Sequence, residues 1–433
     1  MQEETRSRPT VTISRRGADR VRAGHPWVYR SDVVTATNAY PGALVNVREA
    51  KGAKGGATTA GAGRHRQHSI LGSAFYSTAS EIAVRMVSPK AVEDLDQLVR
   101  ERIRAAAAYR ERFVRDTNAY RVVFSEGDFL PGLIVDRYND ILSFQVLTQA
   151  MDDPRVREVF LSELRDRLNP AAIVERVDPR VRRLEQLPEK ESHLTWERTA
   201  GTIDGAVAGP DSTADDRSSA AKIMTEFQMN GVRFLLDALG GQKTGAFLDQ
   251  RENYRSAAEY ARGEALDVFC YQGGFALHLA GRCEKVTGVD SSRPALEMAE
   301  RNAGLNGREI DWIEANAFDL LRDYVAAGRE YDTVVVDPPA FAKSRSHLGP
   351  ALGAYKELNL RALKMLRAGG LLVTCSCSYH VSRTDFLEVL LAAAQDSHRI
   401  LRILDNRGQA KDHPTQLGIP ETAYLKCVIA VVS

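Results

Sequence analysis

Two acids, a pair of cysteines and a glycine turn are spaced through the second half of this chain as a reaction centre would need them. The run Leu266-Asp267-Val268-Phe269-Cys270-Tyr271-Gln272-Gly273-Gly274-Phe275 takes an apolar stretch into a glycine turn, and Val286-Thr287-Gly288-Val289-Asp290 takes a second one into an acid. Glycines at such a turn let a ligand approach the backbone, and an acid at the tip of the following strand accepts bonds from ribose hydroxyls. Asp290 follows Gly273 at close to the roughly 20 residues expected of that acid. The turn is not G-x-G-x-x-G, which favours S-adenosylmethionine over NAD. Asp332-Thr333-Val334-Val335-Val336-Asp337-Pro338-Pro339-Ala340-Phe341 sets a further acid before two stiffening prolines, with Phe341 placed to stack on a base. Leu371-Leu372-Val373-Thr374-Cys375-Ser376-Cys377-Ser378 brings two cysteines to the end of another apolar run. Strand alternation puts both on one face, with Cys377 further out. A thiolate there is a candidate nucleophile, helped if Lys343, Arg345 or a nearby helix N-terminus lowers its pKa. Each motif alone has a plainer reading: a sheet core with a glycine turn, an Asp-Pro turn, a buried cysteine acting as a small hydrophobe. Their shared position at carboxyl strand ends, where open α/β sheets bind ligands, favours a site.

The elements that must hold these groups follow from periodicity. Strands are expected near 264–270, 285–290, 310–314, 332–337, 370–376, 399–404 and 423–432, with helices at 273–281, 293–305, 317–327, 351–367 and 383–395. Alternation of this kind predicts an α/β fold, a doubly wound Rossmann-like domain. The last strand should pair antiparallel with the one near 400. Ahead of it, Phe227–Phe234 carries Asn230-Gly231 between alternating residues, a hairpin signal.

The first half reads differently. Thr10–Ile13, Trp27–Tyr29, Ala43–Val47, Ile70–Tyr76 and Ile82–Val87 read as short strands, with a helical turn through Ala18–Ala23, and predict a small β-barrel over 8–89. Lys51–His68, rich in Gly, Ala and Thr with Arg64, His65, Arg66 and His68, reads as a flexible basic loop. An α+β middle domain over 90–200 is expected from a helix at Leu95–Phe113, strands at Val122–Phe124, Gly132–Asp136 and Ile141–Leu147, a helix at Asp153–Leu168 and a strand at Ala172–Glu175. Residues 178–220 are polar and predict a loop-rich boundary before the last domain, 220–433.

Composition narrows the class. With 433 residues, 44% hydrophobic and 27% charged, the chain has ample material for two or three globular domains. It has no apolar run near the ~20 residues of a membrane span, and its polar start lacks the apolar stretch of a signal peptide. Five cysteines, an odd number, fit free thiols in a reducing compartment, and cytoplasm is expected. No cysteine or histidine set has metal-ligand spacing, so no metal is expected. The net charge of +1 is uninformative, but Arg6, Arg8, Arg15, Arg16, Arg20, Arg22 and Arg30 make the N-terminal arm basic. That arm is either a phosphate-binding surface or a solvated face.

Taken together these motifs resemble a known family. The chain is similar over nearly its whole length to the bacterial large-subunit (23S) ribosomal RNA cytosine-C5 methyltransferases, which depend on S-adenosylmethionine. The resemblance rests on Arg15-Arg16-Gly17 with Gly24-His25-Pro26-Trp27-Val28, on Glu126-Gly127-Asp128-Phe129-Leu130-Pro131-Gly132-Leu133-Ile134-Val135-Asp136, on Gln242-Lys243-Thr244-Gly245-Ala246-Phe247-Leu248-Asp249-Gln250-Arg251, and on the runs above. It implies that the first domain is an RNA-binding PUA domain presenting Arg15 and Arg16, and that Lys343 and Phe341 meet RNA. It implies that Gln250 and Arg251 line the cofactor site, that Phe269, Cys270, Tyr271, Gly273 and Gly274 cradle the methionine end, that Asp290 with Ser291 takes the ribose, and that Asn316-Ala317 lies against adenine. Many relatives carry Asp where this chain has Asn316. Cys377 matches the family's nucleophile and Asp337 the acid that steadies the cytosine ring. Relatives of this architecture are often homodimers.

The chemistry explains why both groups are wanted. Cytosine C5 is a poor nucleophile; thiolate attack at C6, with an acid at the N3 edge, makes it enamine-like. Two other functions share some of these features. Guanine methylation of the same RNA would need no thiol, so Cys377→Ala discriminates. A non-catalytic RNA-binding assembly protein would not bind cofactor.

Overall fold

Alternating apolar residues turn the N-terminal stretch into strands that bury one face each, and three further sheets follow among the described residues. The computed structural model describes residues 8–50, 70–198, 223–240, 246–342 and 344–433. The basic loop 51–68, Lys343 and the stretch Gln242–Gly245 lie outside the described residues. Residues 8–113, 121–198 and 415–420 form one compact unit; 114–120, 223–240, 246–342, 344–414 and 421–433 form a second.

In the first unit the strands are β1 (Thr10–Ile13), β2 (Trp27–Tyr29), β3 (Val33–Thr37), β4 (Leu44–Glu49), β5 (Ile70–Tyr76) and β6 (Ile82–Ser88), with helix α1 (Arg15–Arg22) after β1. Their order is β2-β6-β5-β4-β1-β3, and β1 runs parallel to β4. Val11, Ile13, Ala18, Val28, Val45 and Val47 fill the core beneath. Strand β3 was not expected, because most of its residues are exposed and give no buried alternation. The unit continues through α2 (Leu95–Phe113) and a five-stranded sheet of β7 (Ala119–Phe124), β8 (Leu133–Tyr138), β9 (Ile141–Val146), β10 (Ala172–Glu175) and β11 (His193–Glu197), in the order β11-β10-β9-β8-β7. Between β9 and β11 lie α3 (Gln149–Asp152), α4 (Pro154–Leu168) and α5 (Pro179–Leu184). The stretch expected to be loop-rich from 178 onward thus contains α5 and β11. Asp178 accepts from the amides of Arg180 and Val181, with proline in the first turn, and β11 pairs antiparallel with β10.

The second unit begins with the hairpin β12 (Met224–Met229) and β13 (Val232–Asp237), joined by Asn230 and Gly231 at φ 52° and 84°, the left-handed pair that a two-residue hairpin turn requires. Helix α6 (Arg251–Tyr260) then leads into β14 (Glu264–Val268), α7 (Gly274–Leu279), β15 (Lys285–Asp290), α8 (Arg293–Leu305), β16 (Asp311–Glu314), α9 (Ala317–Ala326), β17 (Tyr331–Val336), α10 (Leu348–Met365), β18 (Leu366–Ser376), α11 (Arg383–Asp396), β19 (Leu401–Arg407) and β20 (Lys426–Val432). The seven-stranded sheet has the order β16-β15-β14-β17-β18-β20-β19. β20 enters between β18 and β19 and runs antiparallel to both, so the expected pairing with the strand near 400 is present, together with a second one to β18. Val268, Val289, Val334, Val336, Leu358, Leu363 and Leu372 fill one face of the sheet. Strands buried on both sides read as continuous apolar runs, which is why these were visible in sequence. Among the described residues no helix is long and apolar enough to cross a membrane.

Register then does the positioning. Val268 of β14 lies level with Val289 of β15 and Val336 of β17, and Val336 with Thr374 of β18. The glycine turn, Asp290, Asp337 and Cys377 therefore leave the sheet at one edge. The chain passes from β14 outward to β15 and later returns to β17 on the other side of β14. That reversal is where open α/β sheets form their ligand crevice.

Candidate active site

A cavity of about 300 Å³ opens at that edge, lined among others by Phe247, Gln250, Tyr254, Phe269, Tyr271, Asp290, Asp337 and Cys377. The turn after β14 is unusual. Phe269, Tyr271 and Gly273 all have positive φ (68°, 50° and 85°), and for two aromatic residues this backbone is strained. It is held by backbone bonds from the Phe269 and Cys270 amides to the Val289 carbonyl and from the Tyr271 amide to Asp290 Oδ2 at 2.9 Å. Asp290 Oδ1 accepts from the Ser292 amide at 2.8 Å, which fixes the carboxylate at the strand tip. Gly274 has no room for a side chain: a Cβ would lie 2.5 Å from the Tyr254 hydroxyl. The Tyr254 ring packs edge-on against Phe275 and tilted against His278.

Beneath the turn lies a group that reading the sequence did not single out. Asp267 on β14 is fully buried; its Oδ2 accepts from the Ala276 amide at 2.8 Å, and its Oδ1 has no partner among the described residues. Burial, with Asp337 and Asp290 nearby, pushes its pKa up to about 8. Its signal in the sequence was an acid set between the apolar residues Leu266 and Val268. Asp249, Phe247, Phe234 and Tyr254 also line the cavity without having been expected there; Asp249 accepts from the Tyr424 hydroxyl at 2.6 Å.

Opposite the turn, Asp337, Pro338, Pro339 and Cys377 line the same cavity. Gln250 donates to Asp337 Oδ2 at 2.9 Å. The Cys377 Sγ lies 3.9 Å from the Pro338 carbonyl oxygen. The residue after it is clamped: Ser378 Oγ accepts from the Ala342 amide and shares a 2.9 Å bond with the Tyr355 hydroxyl. Its carbonyl accepts from Lys426 Nζ at 2.6 Å. Burial lowers the Lys426 pKa to about 8. Cys375, one strand position inward from Ser376, is wholly buried opposite Cys427, and burial raises its pKa. Of the two cysteines, Cys377 alone lines the cavity.

The structure thus gathers Gln250, Phe269, Cys270, Tyr271, Gly274, Asp290, Ser291, Asp337 and Cys377 around one cavity. Other expected residues lie elsewhere. Arg251 does not line it: its guanidinium is buried against Asp412 at 3.1 Å and donates to the Ala119 carbonyl. Gly273 caps α7, and Asn316 caps α9 by accepting from the Phe318 and Asp319 amides, with Ala317 buried behind it. Phe341 packs on Tyr355 and Phe318. Arg15 and Arg16 are exposed but paired with Asp19 and Asp32.

Aromatic walls, glycine-turn amides and the carboxylates Asp249, Asp290 and Asp337 suit a nucleoside that carries a positive charge. Comparison with known proteins agrees. A family model described as S-adenosylmethionine-dependent methyltransferase matches residues 147–421, and one described as a PUA-like domain matches 11–56. The chain is 33% identical over 417 residues to "Ribosomal RNA large subunit methyltransferase I" of Photobacterium profundum, covering 94% of this chain and 95% of that one. It is 35% identical over 362 residues to the protein of the same name from Tolumonas auensis, covering 82% and 85%. Its fold matches that of a solved methyltransferase complexed with SAH, at TM-score 0.76 and 16% identity over 98% of this chain and 99% of the other. The chain therefore belongs to the family of S-adenosylmethionine-dependent methyltransferases, and S-adenosylmethionine is its cofactor.

Proposed function

We propose that this chain methylates carbon 5 of a cytosine in large-subunit (23S) ribosomal RNA, through a transient bond between Cys377 and carbon 6. The observation that carries the reading is that Cys377 and Asp337 line one cavity with Asp290 and the glycine turn. The name shared by the relatives supports the RNA class, and a PUA-like domain in the same chain supports an RNA substrate.

S-adenosylmethionine, when bound, supplies an electrophilic methyl group on a sulfonium. The residues of this chain do the rest. The Cys377 thiolate adds to cytosine C6, and Asp337, in its acid form, gives its proton to N3 as negative charge builds there. C5 then carries enamine electron density, the nucleophile that would take the methyl from a bound S-adenosylmethionine, with S-adenosylhomocysteine as the leaving group. Loss of the C5 proton to solvent, with N3 returning its proton to Asp337, expels the Cys377 sulfur as thiolate and restores the C5–C6 double bond. Pro338 and Pro339 stiffen the loop that presents Asp337. A base reaches such a pocket only when unstacked, so a loop or an unfolded stretch of RNA is the expected target.

The experiment uses large-subunit RNA from cells lacking this protein, labelled S-adenosylmethionine and the full-length chain, as wild type and Cys377→Ala. Label in 5-methylcytidine that disappears with the substitution is expected. Label in a methylguanosine that survives it would overturn the reading.

A further inference from the structure

A chain of four side chains runs from the end of β19 through α6 to the tip of β17, and its polarity is set at the far end. A guanidinium can only donate. Arg407 Nε donates to Asn253 Oδ1 at 3.0 Å, which leaves the Asn253 amino group to face inward. That group donates to Gln250 Oε1 at 2.6 Å and to the Gly408 carbonyl at 3.1 Å. A carbonyl can only accept, so Gly408 imposes the same orientation independently. With its oxygen engaged, Gln250 turns its own amino group to Asp337 Oδ2 at 2.9 Å. Asn253 is 1% exposed and Gln250 3%, so a mismatched amide here has no water to turn to. Arg407 is in turn steadied by Asp405 at 3.5 Å and Glu252 at 4.0 Å.

We propose that Asn253 and Arg407 are positioning residues for Asp337, acting by deciding which end of the Gln250 amide meets its carboxylate. The proposal rests on the reading above, in which Asp337 touches the reacting base. A primary amide is nearly symmetric in shape, so packing alone does not choose between its two ends; its partners do. Turned the other way, Gln250 would put a carbonyl oxygen against a carboxylate and push Asp337 off its place beside the ring.

The test substitutes Asn253→Asp, which keeps the acceptor for Arg407 and the shape but replaces the inward donor with an acceptor. In the full-length chain acting on large-subunit RNA, kcat should fall about tenfold or more while the dissociation constant for S-adenosylmethionine stays within about threefold. In a Gln250→Ala background the same substitution should cost nothing further, because its route to Asp337 is already cut. Arg407→Glu, at a partly exposed position, sets an acceptor against Asn253 Oδ1 in opposition to the observed polarity, should lower kcat in the same direction, and serves if Asn253→Asp does not fold. A crystal structure of Asn253→Asp should show the Gln250 amino group drawn to the new carboxylate and its bond to Asp337 lost. Unchanged kcat, effects that add in the double variant, or an intact Gln250–Asp337 bond would each overturn the proposal. The methylated nucleoside is identified in the same assay, so methylguanosine would end the cytosine reading while the non-additivity is scored on its own.

Discussion

The buried acid Asp267 makes a prediction that needs no substrate. Its ordinary pKa is 3.8; in the folded chain, burial first and then the charges of Asp337 and Asp290 push it up to about 8. Between these values the native state holds a proton that the unfolded state has lost. A pKa raised on folding favours the native state below it, so this group's contribution falls as pH rises through the window. The full slope for one group is about 1.4 kcal/mol per pH unit. From pH 6.5 to pH 8, where Asp267 begins to ionise in the fold, the loss should be about 2 kcal/mol. Asp267→Asn mimics the protonated form and leaves an oxygen to accept from the Ala276 amide, so it should not share the loss. The assay is urea unfolding of the cofactor-free chain at pH 6.5, 7.25 and 8, with both proteins side by side so that every other titration cancels. The variant should gain on the wild type by about 2 kcal/mol across the series. Parallel stability curves would refute the reasoning and mean that the Asp267 carboxyl is already ionised at pH 6.5.

Two further predictions concern the same region. Gly274→Ala puts a methyl within 2.5 Å of the Tyr254 hydroxyl, and that ring is boxed in by Phe275 and His278. A loss of about 1–3 kcal/mol on urea unfolding is expected, with weaker cofactor binding by calorimetry because Tyr254 lines the cavity; an unchanged midpoint would contradict it. His278 gives an acid limb. Burial lowers its pKa from 6.5 to about 4, and Nδ1 donates to the Gly274 carbonyl while Nε2 accepts from Asn230, the pattern of a neutral ring. The unfolded chain takes up this proton first as pH falls, so stability should drop by up to about 3 kcal/mol between pH 6.5 and 4. His278→Gln should flatten that limb in a pH series of melting temperatures, and an identical limb would refute the assignment.

Much of the second unit was legible because parallel strands buried on both faces leave long apolar runs, and helices between them must be amphipathic. Helix α8 was expected at its observed bounds, since Ser292 and Pro294 mark its start. Asp290, Asp337 and Cys377 were legible because each ends such a run. What escaped notice depends on contacts between distant residues or on backbone strain. Nothing in the residue type of Arg251 says that Asp412, far along the chain, will bury its charge. Phe269 and Tyr271 are residues that disfavour the left-handed region, so their turn is visible only in the structure. Helix α6 escaped because its polar residues serve inward: Asn253 and Ser256 are buried, against the usual apolar-in rule. Asn253 in particular looks like a surface residue until its three partners are seen together.

The central claim is that Cys377 bonds to the base it helps to methylate. The direct measurement incubates the chain and S-adenosylmethionine with large-subunit RNA carrying 5-fluorocytidine, where fluorine replaces the C5 proton whose loss releases the cysteine. The account predicts a protein–RNA adduct that survives denaturation, maps by peptide mass to the segment containing Cys377, and is absent for Cys377→Ala. Methylation of ordinary RNA by the same preparation, with no adduct on the fluorinated RNA, would contradict it.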